Sequence, residues 1–229
     1  MNAVDPALLL ANLALFRELT DAQRAPLAAG ARPQRIPRGE VLFRQGDAAT
    51  EMHVVVYGRI KLSFVSPAGT EKVVDIIGPG GSYGEAVLFL ETPHVVTAQT
   101  VADSLLLCLP KELVFERIDN DPQFARRMLG GLSRRLQKLV ADVESYSTRS
   151  GTERLIGFLL HDCGGEAEDE KGILELELPV AKGVIASRLN LTQEHFSRIL
   201  HDLAALGLIE VQGRRVRVLD LKRLRGHAG

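Results

Sequence analysis

Cysteine is nearly missing from this chain of 229 residues, which has only Cys108 and Cys163. So distant a pair offers neither a disulfide framework nor a Cys-x-x-Cys metal motif, and it suits a reducing cytoplasm. Net charge is almost absent too, at −1, so no global field draws the protein to nucleic acid or to a membrane surface. Any such affinity has to come from a local patch. No run of about 18 apolar residues occurs, which excludes an apolar membrane-spanning helix. The opening MNAVDPALLLANLALF lacks a basic flank and a small-residue cleavage signal, and Arg17 and Glu18 close it early. It reads as an amphipathic helix laid on a domain. What is present is apolar content, 45% of the chain, enough for two modest domains with buried cores.

From Ala31 to about Pro110 the texture is short and β-like. Period-2 runs (Glu40-Val-Leu-Phe, Met52-His-Val-Val-Val-Tyr, Arg59-Ile-Lys-Leu-Ser-Phe-Val, Lys72-Val-Val-Asp-Ile-Ile) alternate with turn signals such as Pro37-Arg-Gly, Gln45-Gly-Asp and Gly78-Pro-Gly-Gly. Strands at this spacing predict a sandwich, a jelly roll or a small barrel. The glycine-rich Gly78-Pro-Gly-Gly-Ser-Tyr-Gly lacks Gly-Lys-Ser/Thr and does not fit G-x-G-x-x-G, so it reads as a turn and not as a nucleotide loop.

The pattern changes at Asp121-Pro122, which opens a long helical stretch. Leu132, Leu136, Leu139, Val143 and Tyr146 step by four and three residues, a heptad seam flanked by Arg134, Arg135, Lys138, Asp142 and Glu144. A helix resting on its own β-domain would show a broader apolar face. The narrow stripe points to a homodimer.

After Ser150-Gly151 a helix leads through the acidic GGEAEDEK to a strand, ILELELP. Two helices follow, VAKGVIASRLN and TQEHFSRILHDLAALG, and then a hairpin around Gln212-Gly213. This is the outline of a winged helix-turn-helix. Thr192 is a good N-cap. Phe196, Ile199, Leu200, Leu203 and Leu206 form the expected buried stripe, while Gln193, Glu194, Ser197 and Arg198 face away at the helix start. A recognition helix puts its N-terminal residues against base edges; Arg198 can grip guanine O6 and N7, and Glu194 can accept from a cytosine amine. From Pro179 onward nine basic residues stand against four acidic ones, a net of about +5 suited to phosphates. The expected DNA-contacting set is Thr192, Gln193, Glu194, His195, Ser197, Arg198, Lys182 and Arg214.

VIASRLNLTQEHFSRILHDLAALGLI, preceded by RGEVLFRQGD, GSYGEAVLF and a long helix, resembles the Crp/Fnr family of bacterial transcription regulators over nearly the whole chain. The Glu194, Ser197 and Arg198 match is similar to the Fnr-type recognition signature, and LPVAK and ETPHVVTAQT resemble the nitric-oxide-responsive Dnr branch. The resemblance implies an α+β protein: an N-terminal β-roll (a double-stranded jelly roll) resembling cyclic-nucleotide-binding domains over 1–120, a dimerisation helix over 121–147, and a winged helix-turn-helix over 148–229. It also implies a homodimer on double-stranded DNA at an inverted TTGAT-like repeat. RNA polymerase would be touched by the loop from Gly164 to Gly172.

Effector-pocket candidates by the same resemblance are Gly84, Glu85, Ala86 and Thr97. The Arg-Ser pair that cyclic-AMP binders carry is replaced by Pro93-His94-Val95-Val96-Thr97, which speaks against that nucleotide. An iron–sulfur cluster would need about four thiolates, which two cysteines cannot supply. Haem is implied by the Dnr likeness, with His53, His94 and His161 as the histidines weighed and no ligand assigned. No metal site is expected, since His53 and His94 stand apart in sequence, and Cys108 reads as a small buried hydrophobe. The rivals are a β-roll metal enzyme of cupin type, which would leave the recognition helix unexplained, and a DNA-binding architectural protein with an inert roll.

Overall fold

The computed structural model describes residues 5–13, 16, 19–66, 69–161 and 173–227. Cys163 and the acidic segment from Gly164 to Gly172 lie outside the described residues. The chain divides into two compact units, 1–137 and 138–229.

The first unit opens with α1 (Pro6–Asn12) and α2 (Asp21–Gly30). Six strands follow: β1 (Arg32–Ile36), β2 (Val41–Phe43), β3 (Glu51–Tyr57), β4 (Ile60–Val65), β5 (Glu71–Ile77) and β6 (Ser82–Tyr83). After α3 (Glu85–Leu90) come β7 (Thr97–Thr100), β8 (Ser104–Pro110) and α4 (Lys111–Asn120). Two antiparallel four-stranded sheets result, in the orders β1-β8-β3-β6 and β2-β7-β4-β5. This is the expected roll. Ile36, Phe43, Val55, Ile60, Leu62, Ile77, Tyr83, Ala98, Leu106 and Cys108, drawn from both sheets, fill its interior. The alternate residues Met52, Val54, Leu107 and Leu109 face the other way, onto Leu10, Phe16, Leu27, Val114, Phe124 and Met128 of the helical layer. Strand β8, SLLLCLP, is therefore buried on both faces and reads as a continuous apolar run.

One helix, α3, interrupts the region from Ala31 to about Pro110 expected to be all strand, and α4 follows directly after that region. α3 has six residues, too few to print a helical period. It starts where Gly84 takes φ +92°, with a Cβ there coming within 3.3 Å of the Glu51 carbonyl oxygen. α4 packs Val114 against the roll.

Helix α5 (Pro122–Thr148) begins where Asp121 accepts from the N–H groups of Gln123 and Phe124, at 3.0 and 3.1 Å. Phe124 and Met128 are buried in the first unit. Further along, Leu129, Leu136, Leu139, Val140 and Val143 are exposed. Leu132 is half-buried, and Tyr146 spends its hydroxyl on Arg188 within the second unit. The open stripe thus gains Leu129 and Val140 and loses Tyr146 from the expected seam. Leu129 extends the heptad by one step toward the N-terminus, while Val140, four residues after Leu136, follows from the helix repeat of 3.6 residues, which drifts from a strict heptad.

The second unit contains α6 (Gly151–His161), β9 (Leu174–Glu177), α7 (Lys182–Arg188), α8 (Gln193–Ala205), β10 (Ile209–Gln212), β11 (Arg215–Val218) and α9 (Leu221–Gly226). The strands pair in the order β10-β11-β9, all antiparallel. Between α7 and α8, Asn190 adopts φ +58° and Leu191 donates to the Ala186 carbonyl at 2.8 Å, giving the tight turn of a helix-turn-helix. α9 was not foreseen; Asp220 caps it by accepting from the Arg223 N–H at 2.8 Å. Among the described residues no helix is long and apolar enough to cross a membrane.

Candidate nucleic-acid interface and roll interior

Helix α8 is amphipathic in the manner expected for a reading helix. Thr192 accepts from the His195 N–H at 3.1 Å and closes the first turn. Phe196, Ile199, Leu200 and Leu203 are buried, and Gln193, Glu194, Ser197 and Arg198 are exposed. Arg198 has no ion pair or hydrogen-bond partner among the described residues. Leu206 departs from the expectation: it is 50% exposed. Ten residues beyond Phe196 is about 1000° of helix, roughly 80° off the stripe, and α8 has ended by then. Leu208 takes the buried place.

His195 is half-buried, with its ring edge 3.2 Å from where a Cβ on Gly151 would sit, so it braces α8 against α6 instead of projecting with Gln193. Gln193 Oε1 lies 2.8 Å from a Cβ placed on Gly183, which puts its amide over the first turn of α7. Lys182, half-buried, stands at the start of that same turn.

Arg214 was expected to face phosphate, yet its Nε and Nη2 both donate to the Leu178 carbonyl, at 2.9 and 2.6 Å, with Glu177 at 3.8 Å. Arg217 lies between Glu175 and Glu210, at 3.7 and 3.6 Å. The charge count from Pro179 had left out Glu175 and Glu177, which β9 brings beside β11. Arg215, exposed at the hairpin, is the wing cation left open.

Gly84 caps α3, and Glu85 is only 5% exposed. One carboxylate oxygen of Glu85 accepts from the Ser82 hydroxyl at 3.3 Å and faces Arg135 Nη1 at 3.5 Å, while the other is buried with no partner among the described residues. Arg135 also donates to the Ser82 carbonyl at 3.2 Å. Ala86 is exposed. Thr97 uses its hydroxyl to accept from the Gln45 N–H at 3.1 Å, and among the described residues no hydrogen bond joins it to Glu85.

The roll interior holds what sequence reasoning missed. His53 and His94, far apart in the chain, both pack on Phe43. The His94 ring stacks on Phe43 at 3.5 Å, and His53 stacks on Tyr83 at 4.9 Å. Burial, helped by His53, pushes the His94 imidazole below its usual range, and burial raises the Tyr83 phenol. His53 Nε2 lies 3.3 Å from Glu51 Oε1. Cys108, opposite His53 in the β3–β8 register, completes a trio of donors all within 4.8 Å. No metal site was expected from the sequence, yet the fold places these three donor-bearing side chains together. Strand pairing joins residues 55 positions apart, which sequence spacing does not record.

The structure assigns no haem ligand among the three histidines, and the two of the roll are packed in its interior. His53 Nε2 is directed at Glu51, both rings are stacked on aromatic faces, and the surrounding side chains are core. His161 ends α6 as an exposed side chain.

A two-sheet roll, a long helix with an open apolar stripe, and a winged helix-turn-helix with a bare polar edge define a DNA-binding transcription regulator with a sensor domain. Residues 33–121 match the cyclic nucleotide-binding domain family and residues 153–226 the Crp-like helix-turn-helix domain family. The chain is 24% identical over 216 residues to a CRP-like cAMP-activated global transcriptional regulator of Mycobacterium tuberculosis, covering 94% of this chain and 96% of the relative. The solved structure of DNR from Pseudomonas aeruginosa is 30% identical, covers 99% of both chains and superposes with a TM-score of 0.51. A CooA variant from Carboxydothermus hydrogenoformans, 19% identical, shares the fold at a TM-score of 0.76, over 100% of this chain and 98% of that one. The chain belongs to the Crp/Fnr family, whose members are transcription regulators and not enzymes.

Proposed function

We propose that the protein is a dimeric, effector-controlled reader of a palindrome with TTGAT-like half-sites. Arg198 grips the guanine through O6 and N7, Glu194 accepts from a cytosine amine, Ser197 lies near a thymine and Gln193 meets the outer base. Thr192 and Lys182 sit at phosphates, and Arg215 takes the wing contact first assigned to Arg214. Arg198, exposed and without an ion-pair or hydrogen-bond partner among the described residues, beside Glu194 and Ser197, carries this reading. The dimer closes through Leu129, Leu136, Leu139, Val140 and Val143, with Leu132 at its margin, and the acidic segment from Gly164 to Gly172 meets RNA polymerase.

Kinship with the Dnr branch is supported by LPVAK, by ETPHVVTAQT and by the 30% identity to DNR. A second reading, control by a cyclic nucleotide or another hydroxylated anion, is favoured by the bare carboxylate oxygen of Glu85 and by Arg135 beside it. The test of DNA reading is fluorescence anisotropy on an inverted TTGAT duplex and a scrambled one. Tight binding to the first alone supports the assignment; equal binding to both overturns it. Repeating the titration with cyclic AMP, and with nitric oxide under anoxia, discriminates the effectors.

A further inference from the structure

We propose that Glu51, His53 and Cys108 form a binding site for one zinc-class divalent cation at the edge of the roll interior. The three are brought together by one strand pair: Glu51 and His53 share a face of β3, two residues apart, and Cys108 stands directly across from His53 on β8. One donor atom from each lies within 4.8 Å of the others. The Glu51 Oε1 to His53 Nε2 separation is 3.3 Å. Ligands at about 2.0–2.3 Å around a tetrahedral zinc stand about 3.3–3.8 Å apart, so small side-chain movements close the site.

The donor set is chemically selective. A thiol, an imidazole and a carboxylate together suit a borderline-soft cation, and three protein ligands leave a fourth position open. Gln34 Oε1 accepts from the Cys108 thiol at 3.4 Å. The surroundings orient the ligands. Arg32 holds the other carboxylate oxygen of Glu51, leaving Oε1 turned toward His53, and Tyr83 fixes the imidazole plane. His53 is only 5% exposed, and its Nδ1 has no hydrogen-bond partner among the described residues. Arg32 and Gln34 are exposed, which gives an entry path along β1.

Without a cation, burial and the neighbouring Glu51 keep the Cys108 thiol protonated, pushed up to about 12. Coordination replaces that proton by the metal, so uptake releases a proton from the thiol. The bound ion would tie β3 to β8 across the His53–Cys108 pair.

The experiment is a titration of the chelator-treated full chain with Co²⁺, followed by Zn²⁺ competition. One equivalent of Co²⁺ should bind, with a thiolate-to-cobalt band in the near ultraviolet, release of about one proton, and displacement by Zn²⁺. Cys108→Ser should abolish the band, and Glu51→Gln and His53→Gln should each weaken binding at least about tenfold. Zinc should raise the melting temperature of the wild type and leave that of Cys108→Ser unchanged; circular dichroism checks that each variant is folded. No uptake by the wild type overturns the site. A band that survives in folded Cys108→Ser assigns the thiolate to Cys163 and overturns it equally.

Discussion

Tyr146, near the end of α5, and Arg188, the last residue of α7, clasp each other: Arg188 Nη1 donates to the phenol oxygen while the phenol donates to the Arg188 carbonyl. Asp142, one turn earlier on α5, accepts from Arg188 Nη2 at 2.6 Å. Arg188 is buried, and a buried guanidinium depends on these partners. Tyr146→Phe should cost the second unit about 1–2 kcal/mol. Asp142→Asn should cost more, because it removes the counter-charge. Calorimetry of the full chain would register both as a lowered transition for this unit; no shift in either variant would mean that water replaces the partners freely.

For the reading edge, Arg198→Ala should lose about 1–3 kcal/mol on the cognate duplex and flatten the preference at the guanine. Arg215→Ala should weaken all duplexes alike and reduce the salt slope by about one. Arg214→Ala should lower stability as well as affinity, since its guanidinium holds the Leu178 carbonyl. Titrations of the three variants against cognate and guanine-substituted duplexes separate these roles. Equal losses on both duplexes for Arg198→Ala would make that residue a phosphate contact.

Dimerisation should depend on the open stripe of α5. Leu136→Glu with Val143→Glu places charge in an apolar seam and should release monomers at micromolar concentration. Sedimentation velocity decides the matter, and a persistent dimer would locate the interface elsewhere.

In the roll, Lys61 is buried and bonded to Glu71 at 2.6 Å, and Ser63 also donates to Glu71 at 2.8 Å. Burial alone would raise the Glu71 carboxyl, but these bonds outweigh it and bring it below the usual range. A depressed carboxylate adds stability above its unfolded value, and that stability is lost as the pH falls through the folded one. Glu71→Gln should therefore destabilise the protein at neutral pH, by about 1–3 kcal/mol for a charged partner left unsatisfied, and flatten the acid side of its stability profile between about pH 5 and 3. Urea melts across that range check the convergence of the two curves.

What the sequence determined by itself was whatever is written locally. The alternation in β3 to β5, the Thr192 cap, the stripe of Phe196, Ile199, Leu200 and Leu203, and the exposed set around Arg198 all follow from periods of about 2 and 3.6 residues. Tertiary structure decided what those periods cannot carry. Leu206 lost its place when α8 ended. Arg214 turned from a free cation into a clamp because β9 brought the Leu178 carbonyl to it. His53 and Cys108, 55 residues apart, became neighbours through the register of β3 and β8, a pairing fixed by hydrogen bonds and core packing across the whole roll and by no spacing along the chain.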